Sequence, residues 1–127
     1  TRPDSSIVGV DKDDDCVRDD IERYIAQNYP GRTQFKLRYY LYEYALWMGR
    51  FIEKEPLSEY TTKTASRNLA LAGLCVNRLL GNRRSRVALD SLFARFHNTA
   101  ARSRRYIHNL SGLAGWTTRE TFTALCP

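Results

Sequence analysis

The sequence has few of the residues on which most metal and enzyme sites are built. It contains two histidines, His97 and His108, and three cysteines, Cys16, Cys75 and Cys126. The cysteines have no zinc-ligand spacing, and no glycine-rich phosphate loop follows a strand pattern. Three cysteines do not form a disulfide framework; the helical pattern favours a core position for Cys75, while Cys16 or Cys126 could pair within or between chains. We therefore predict no metal, no cofactor and no enzyme activity.

Long apolar runs and alternating patterns are also missing. No stretch of about 20 apolar residues is present, so the sequence predicts no membrane span. No segment alternates apolar and polar residues with the period of two that strands show. Apolar residues recur instead three and four positions apart, as in helices that bury one side. A chain of 127 residues is long enough for one helical domain with its own core.

The periodicity predicts an all-α bundle of four main helices plus a short C-terminal helix, with an extended N-terminal arm. The arm is residues 1–10, and the single helical domain is residues 11–127. We predict helices at 11–28, 33–54, 58–80, 82–109 and 117–125. Thr33 and Ser58 are the predicted N-caps of the second and third helices, and Gly81 ends the third. The third and fourth helices should form an antiparallel hairpin.

Basic residues are mostly arginine and are spread unevenly. Of the 20 basic residues, 16 are arginine, whose planar fork matches phosphate geometry better than lysine does. Residues 1–30 hold four basic and eight acidic residues, residues 31–80 hold eight and four, and residues 81–127 hold eight and two. The net charge therefore rises from −4 to +4 to +6 along the chain. Such asymmetry indicates nucleic-acid binding or head-to-tail self-association.

The predicted fourth helix concentrates this charge. Between Arg83 and Arg105 there are seven arginines and one acid, Asp90. Opposite its apolar stripe, 100° per residue places a row of hydrogen-bond donors that contains no acid: Ser91, Arg95, Asn98, Arg102, Arg105 and Asn109. A solvated helix face and an acidic protein partner are alternative interpretations. Solvated faces usually mix both signs of charge, however, so we favour a polyanion.

Duplex nucleic acid, bound through its backbone, is the polyanion that best fits an arginine-rich hairpin. Small residues at positions 70, 73 and 81 would let a nucleic-acid strand or a neighbouring helix approach closely. The predicted contact residues are basic side chains of the third and fourth helices: Lys63, Arg67, Arg78, Arg83, Arg84, Arg86, Arg95, Arg102, Arg104 and Arg105. We expect double-stranded DNA as the ligand, without sequence preference, and self-association or a homologous partner subunit.

The segment from Gly73 to Gly81, GLCVNRLLG, and the amphipathic helix that follows to about Phe96 resemble coat proteins of filamentous and rod-shaped archaeal double-stranded DNA viruses. The resemblance implies helical coat subunits, often dimeric, that wrap double-stranded DNA and hold it in A-form. It implies that the N-terminal arm and a second aromatic stripe of the second helix contact neighbouring subunits. It also implies that the protein is located in the virion; otherwise we expect a cytoplasmic protein. The arginines that it would place against the DNA are Arg78, Arg83, Arg84, Arg86, Arg95, Arg102 and Arg105.

Two other patterns suggest different functions. The spacing of Leu69, Gly73 and Leu79 fits a helix-turn-helix, with a recognition helix from Leu74, as in a DNA-binding regulator. Arg102 and His108 form an R-x5-H pattern that resembles the motif of HEPN-type ribonucleases. The first alternative needs a turn inside the third helix, and the second needs both side chains in one site.

Overall fold

The computed structural model describes residues 17–53, 56–113 and 126. These residues form five α-helices and a 3₁₀ turn, and they contain no strand, which confirms the all-α prediction. The helices are α1 (Asp19–Asn28), α2 (Phe35–Phe51), α3 (Glu59–Leu80), α4 (Asn82–Phe96) and α5 (Ala100–Ser111), and the 3₁₀ turn is Arg32–Gln34. The predicted arm and the predicted helix at 117–125 lie outside the described residues. None of the helices described is long and apolar enough to cross a membrane.

Helix α2 lies at the centre of the bundle. It packs along α3, and α1 and α4 pack against it. Its buried residues recur every three or four positions, so they form one continuous stripe: Leu37, Leu41, Ala45 and Met48. They meet buried residues of three other helices: Ile21 and Ile25 of α1, Val76 of α3, and Leu92 and Phe96 of α4. Burial of each large apolar side chain stabilises the fold by about 1.5–3 kcal/mol.

Two predicted helix starts differ from the observed ones, and one is confirmed. The Ser58 hydroxyl accepts a hydrogen bond from the Thr61 N–H at 3.1 Å, so it caps α3 as predicted. Thr33 does not cap α2, because it lies inside the 3₁₀ turn. Helix α1 begins at Asp19 rather than at residue 11, since Arg18 has an extended backbone.

The predicted fourth helix is two helices. Helix α4 ends at Phe96, and α5 begins at Ala100 after a three-residue corner. The Thr99 hydroxyl accepts a hydrogen bond from the Arg102 N–H at 3.2 Å, which caps the new helix. Helix α5 buries Arg102 and Asn109, whereas its apolar residue Ile107 is exposed. The side of α5 that carries Asn109 faces the end of α2, where the Asn109 amide donates to Phe51 O at 2.8 Å. The Tyr106 ring centroid lies 5.4 Å from that of Phe51.

The α3–α4 hairpin is closely packed, as predicted. Gly73 faces Leu89 of α4, and a Cβ added to Gly73 would make an ordinary van der Waals contact with the Leu89 side chain at 3.5 Å. The Asn77 amide bonds Ser85 at 3.1 Å and Asn82 at 2.8 Å, which places the start of α4 beside the end of α3. Gly81 joins the helices with a φ of +81°, a backbone conformation that other residues rarely adopt.

A disulfide joins Cys75 to Cys126, with their Cα atoms 5.5 Å apart. The predicted core position of Cys75 is confirmed, since 2% of its surface is exposed, but its sulfur is in a disulfide. Cys126 pairs with Cys75, and not with Cys16 or another chain, which were the pairings that the sequence left open. Helical periodicity assigned Cys75 to the buried side, but it carried no information on residues 51 positions away. The disulfide attaches the end of the chain to the middle of α3.

Candidate nucleic-acid interface

Five basic side chains lie along the outer side of the α3–α4 hairpin. We call this surface the hairpin face: Lys63, Arg67 and Arg78 of α3, and Arg83 and Arg86 of α4. The four arginines are exposed and Lys63 is half-buried. Because eleven residues make just over three full turns, Arg67 and Arg78 project to the same side of α3. The hairpin face therefore presents five of the ten predicted contact residues on one side of the hairpin.

The length of the hairpin face suits a duplex backbone. Arg67 and Arg78 are separated by about 16 Å along the axis of α3, which is the rise of roughly five base pairs. Arg83 and Arg86 begin α4 beside the end of α3, so they cluster near Arg78. Arg78 also lies 4.0 Å from the sulfur of Cys126.

Acidic side chains reduce the positive charge of this surface at two points. Lys63 Nζ donates to Glu59 at 2.6 Å, and this hydrogen bond lowers the pKa of the Glu59 carboxyl. Asp90 is exposed on α4.

Arg84 and Arg95 are exposed but lie on another side of α4, which faces α1. The Arg95 guanidinium stacks 4.5 Å from the ring centroid of Tyr24. Arg84 is eleven residues earlier and projects to the same side. Burial and then Tyr24 raise the pKa of Tyr29, and the positive charge of Arg84 opposes them by lowering it. These two arginines do not share a surface with Arg83 and Arg86.

Arg102 is buried, with 1% of its surface exposed, and it cannot reach a phosphate in this structure. Its guanidinium donates to the Asn98 side chain at 2.6 Å. Arg105 is half-buried and donates to the carbonyl oxygens of Ile52 and Glu53, both at 3.3 Å. Both residues are corrections to the predicted contact set, because the corner before α5 turns them inward. Arg104, between them, is exposed.

Sequence reasoning missed that three arginines bind the carbonyl ends of helices. Arg18 is buried and donates to Arg95 O and Phe96 O at the end of α4, both at 3.1 Å. Arg38 donates at 2.7 Å to Tyr29 O, at the end of α1. Arg105 does the same at the end of α2. The last carbonyls of a helix lack internal partners and carry partial negative charge, so a guanidinium stabilises them.

His97 occupies the corner between α4 and α5 among aromatic rings. Its Nε2 lies 3.1 Å from Met48 Sδ, and its ring centroid lies 4.5 Å from that of Phe93 and 4.6 Å from that of Tyr106. Burial, then the charges of Arg18 and Arg102, lower its pKa to about 4. The imidazole is therefore neutral at pH 7 and acts as a packing group.

The geometry removes support from both alternative motifs. Helix α3 continues without a break through Gly73, so no turn separates a recognition helix beginning at Leu74. Arg102 is buried whereas His108 is exposed, so the R-x5-H pattern does not bring the two side chains into one site.

No group of three or more His, Cys, Asp or Glu that could hold a metal ion occurs in the part of the chain that the structure describes. Nothing matches this chain in comparisons with protein-family models, curated proteins and solved structures.

Proposed function

We propose that this chain is a structural protein that binds duplex DNA without sequence preference and assembles with copies of itself. The observation that carries the proposal is the hairpin face. Its four arginines are exposed on adjacent, antiparallel helices, and of the acidic residues that the structure describes Glu59 and Asp90 lie among them. A viral coat subunit that packages DNA in a helical nucleoprotein filament is the most specific form of the proposal.

Binding would rest on phosphate neutralisation and release of counterions. Each arginine fork can donate two parallel hydrogen bonds to a phosphate, so a contact fixes the orientation of the phosphate as well as neutralising its charge. No asparagine, glutamine and arginine set projects from a separate recognition helix, so base edges would not be read. We therefore expect affinity to depend strongly on salt and weakly on sequence.

The structure supplies a matched pair of variants for the test. Arg83→Gln with Arg86→Gln removes two charges from the hairpin face, and Arg84→Gln with Arg95→Gln removes two from the other side of α4. Affinity for random-sequence duplex DNA is measured across a salt series. We expect the slope of log K against log salt to become shallower by about 2 in the first double variant and to change little in the second.

Equal slopes for the two double variants would contradict the hairpin face, because the overall charge of the protein would then explain binding. If the unaltered protein binds no duplex DNA at low salt, the proposed function fails, and an acidic protein becomes the better partner for these arginines.

A further inference from the structure

A groove of about 230 Å³ lies between α2 and α3. It is formed beside Asn68 and Leu71, on a different side of α3 from Gly73 and Asn77, which face α4. Its volume is below the roughly 300–1,000 Å³ of sites for drug-sized ligands, so it suits one long side chain. The residues of α2 that line it are three aromatic residues and one acid: Tyr39, Tyr40, Trp47 and Glu43.

The groove has the chemistry of a cation site. Tyr39 and Tyr40 present rings at 69° to each other, with centroids 5.7 Å apart, so they offer two differently oriented walls. Glu43 is half-buried, and it makes no ion pair or hydrogen bond with any described residue. A carboxylate that is partly withdrawn from water among aromatic rings is stabilised by a cation, and the ring faces attract the same charge.

A guanidinium fits this groove better than an ammonium does. Its planar face stacks on aromatic rings, while its edge donates two hydrogen bonds to a carboxylate. The Asn68 amide nitrogen donates to Thr64 O at 2.9 Å, which leaves the amide oxygen as a second acceptor in the groove. An arginine side chain can use the rings, the carboxylate and this oxygen together.

We propose that the groove binds an exposed arginine of a second copy of this chain. Charge complementarity selects that occupant, because the chain carries 16 arginines. Arg104 is exposed, lies outside the hairpin face and makes no ion pair with the described residues. A groove on one copy that takes a different surface of the next is a heterologous contact, which forms rings or open filaments. The inference rests on the self-association in the proposed function and is independent of DNA binding.

The test is sedimentation velocity of the full chain without DNA, over a concentration series. Glu43→Gln keeps the shape of the side chain and removes its charge, and Asp90→Asn removes the same charge from an exposed position outside the groove. We expect the unaltered protein and Asp90→Asn to associate alike, and Glu43→Gln to associate about tenfold more weakly. Tyr39→Leu, at an exposed ring of the groove, should weaken association as well.

A fluorescence titration reports occupancy of the groove itself. In a Trp116→Phe background Trp47 is the single tryptophan, and N-acetylarginine amide should change its emission saturably. The change should disappear with Glu43→Gln and should not occur with sodium chloride at equal ionic strength. The same compound should compete with self-association.

Three results would overturn the proposal: a chain that stays monomeric, a Trp47 signal that does not respond, or equal weakening by Glu43→Gln and Asp90→Asn. None of them bears on duplex binding, which is measured separately. A failure of DNA binding likewise leaves the sedimentation series interpretable.

Discussion

Arg102 and Arg104 are two residues apart in the same helix, and the structure predicts opposite roles for them. Arg102→Ala should destabilise the fold and leave the DNA affinity of the folded protein unchanged. Arg104→Ala should leave stability unchanged. If the binding surface extends to α5, Arg104→Ala should also weaken DNA binding and reduce its salt dependence by about one phosphate contact.

The magnitude follows from what Arg102 contacts. Loss of the charged hydrogen bond to Asn98 costs about 1.5–3 kcal/mol. Removal of two buried methylenes, Cγ and Cδ, costs about 0.8 kcal/mol each. The expected loss in the free energy of unfolding is therefore about 3–5 kcal/mol, a large part of the 5–15 kcal/mol typical of a domain. Arg104→Ala should change it by about 0.5 kcal/mol or less, because its side chain is exposed.

Urea unfolding followed by circular dichroism measures both variants, and the midpoint shift at constant m reports the change in stability. The midpoint temperature of thermal unfolding should be roughly 10–20 °C lower for Arg102→Ala than for the unaltered protein. Similar stability of the two variants would refute the reasoning, since it would mean that the Arg102 guanidinium is not buried. A folded Arg102→Ala protein that has lost DNA binding would return this residue to the contact set.

Three further predictions concern the corner, the histidine within it and the disulfide. Thr99→Ala should destabilise the fold by about 1 kcal/mol in urea unfolding, through loss of the α5 N-cap. Because the folded-state pKa of His97 is about 4, below the unfolded value of about 6.5, its contribution is complete above pH 6.5 and is lost as the pH falls toward 4. In unfolding measured at several pH values, His97→Gln should flatten this dependence and His108→Gln should not. Cys126→Ser should lower stability by about 4 kcal/mol, since the disulfide spans 51 residues.

Periodicity was sufficient to predict the helical class and the hairpin, because both follow from local spacing. Residues 59–80 have an apolar stripe, a serine cap and a final glycine, and the structure places α3 within a residue of that prediction. The corner at residues 97–99 was missed, since the apolar spacing of the sequence continues through it to Ile107, although Ile107 is exposed in the structure. Only the aromatic packing of His97 and the cap by Thr99 show that the helix turns there, and neither has a strong local signal.

The predicted contact set was less accurate than the fold for a related reason. A helical projection assumes one straight axis, so a break after Phe96 rotates every later residue relative to Arg83 and Arg86. Arg102 and Arg105 changed from surface to interior positions by this rotation. Arg84 and Arg95 stayed exposed, but their side of α4 faces α1, which the projection of a single helix could not show.

The arginine excess itself has two explanations that the sequence could not separate. A row of positive charges indicates an anionic partner, and an external polyanion is one such partner. A helical bundle also contains internal partial anions, because every helix ends in carbonyl groups without partners. Arg18, Arg38 and Arg105 bind three of these ends. The charge available for DNA is therefore smaller than the composition suggests. Arg83 and Arg86 of the hairpin face are exposed and make no ion pair with the described residues, so for them an external anion is the better explanation.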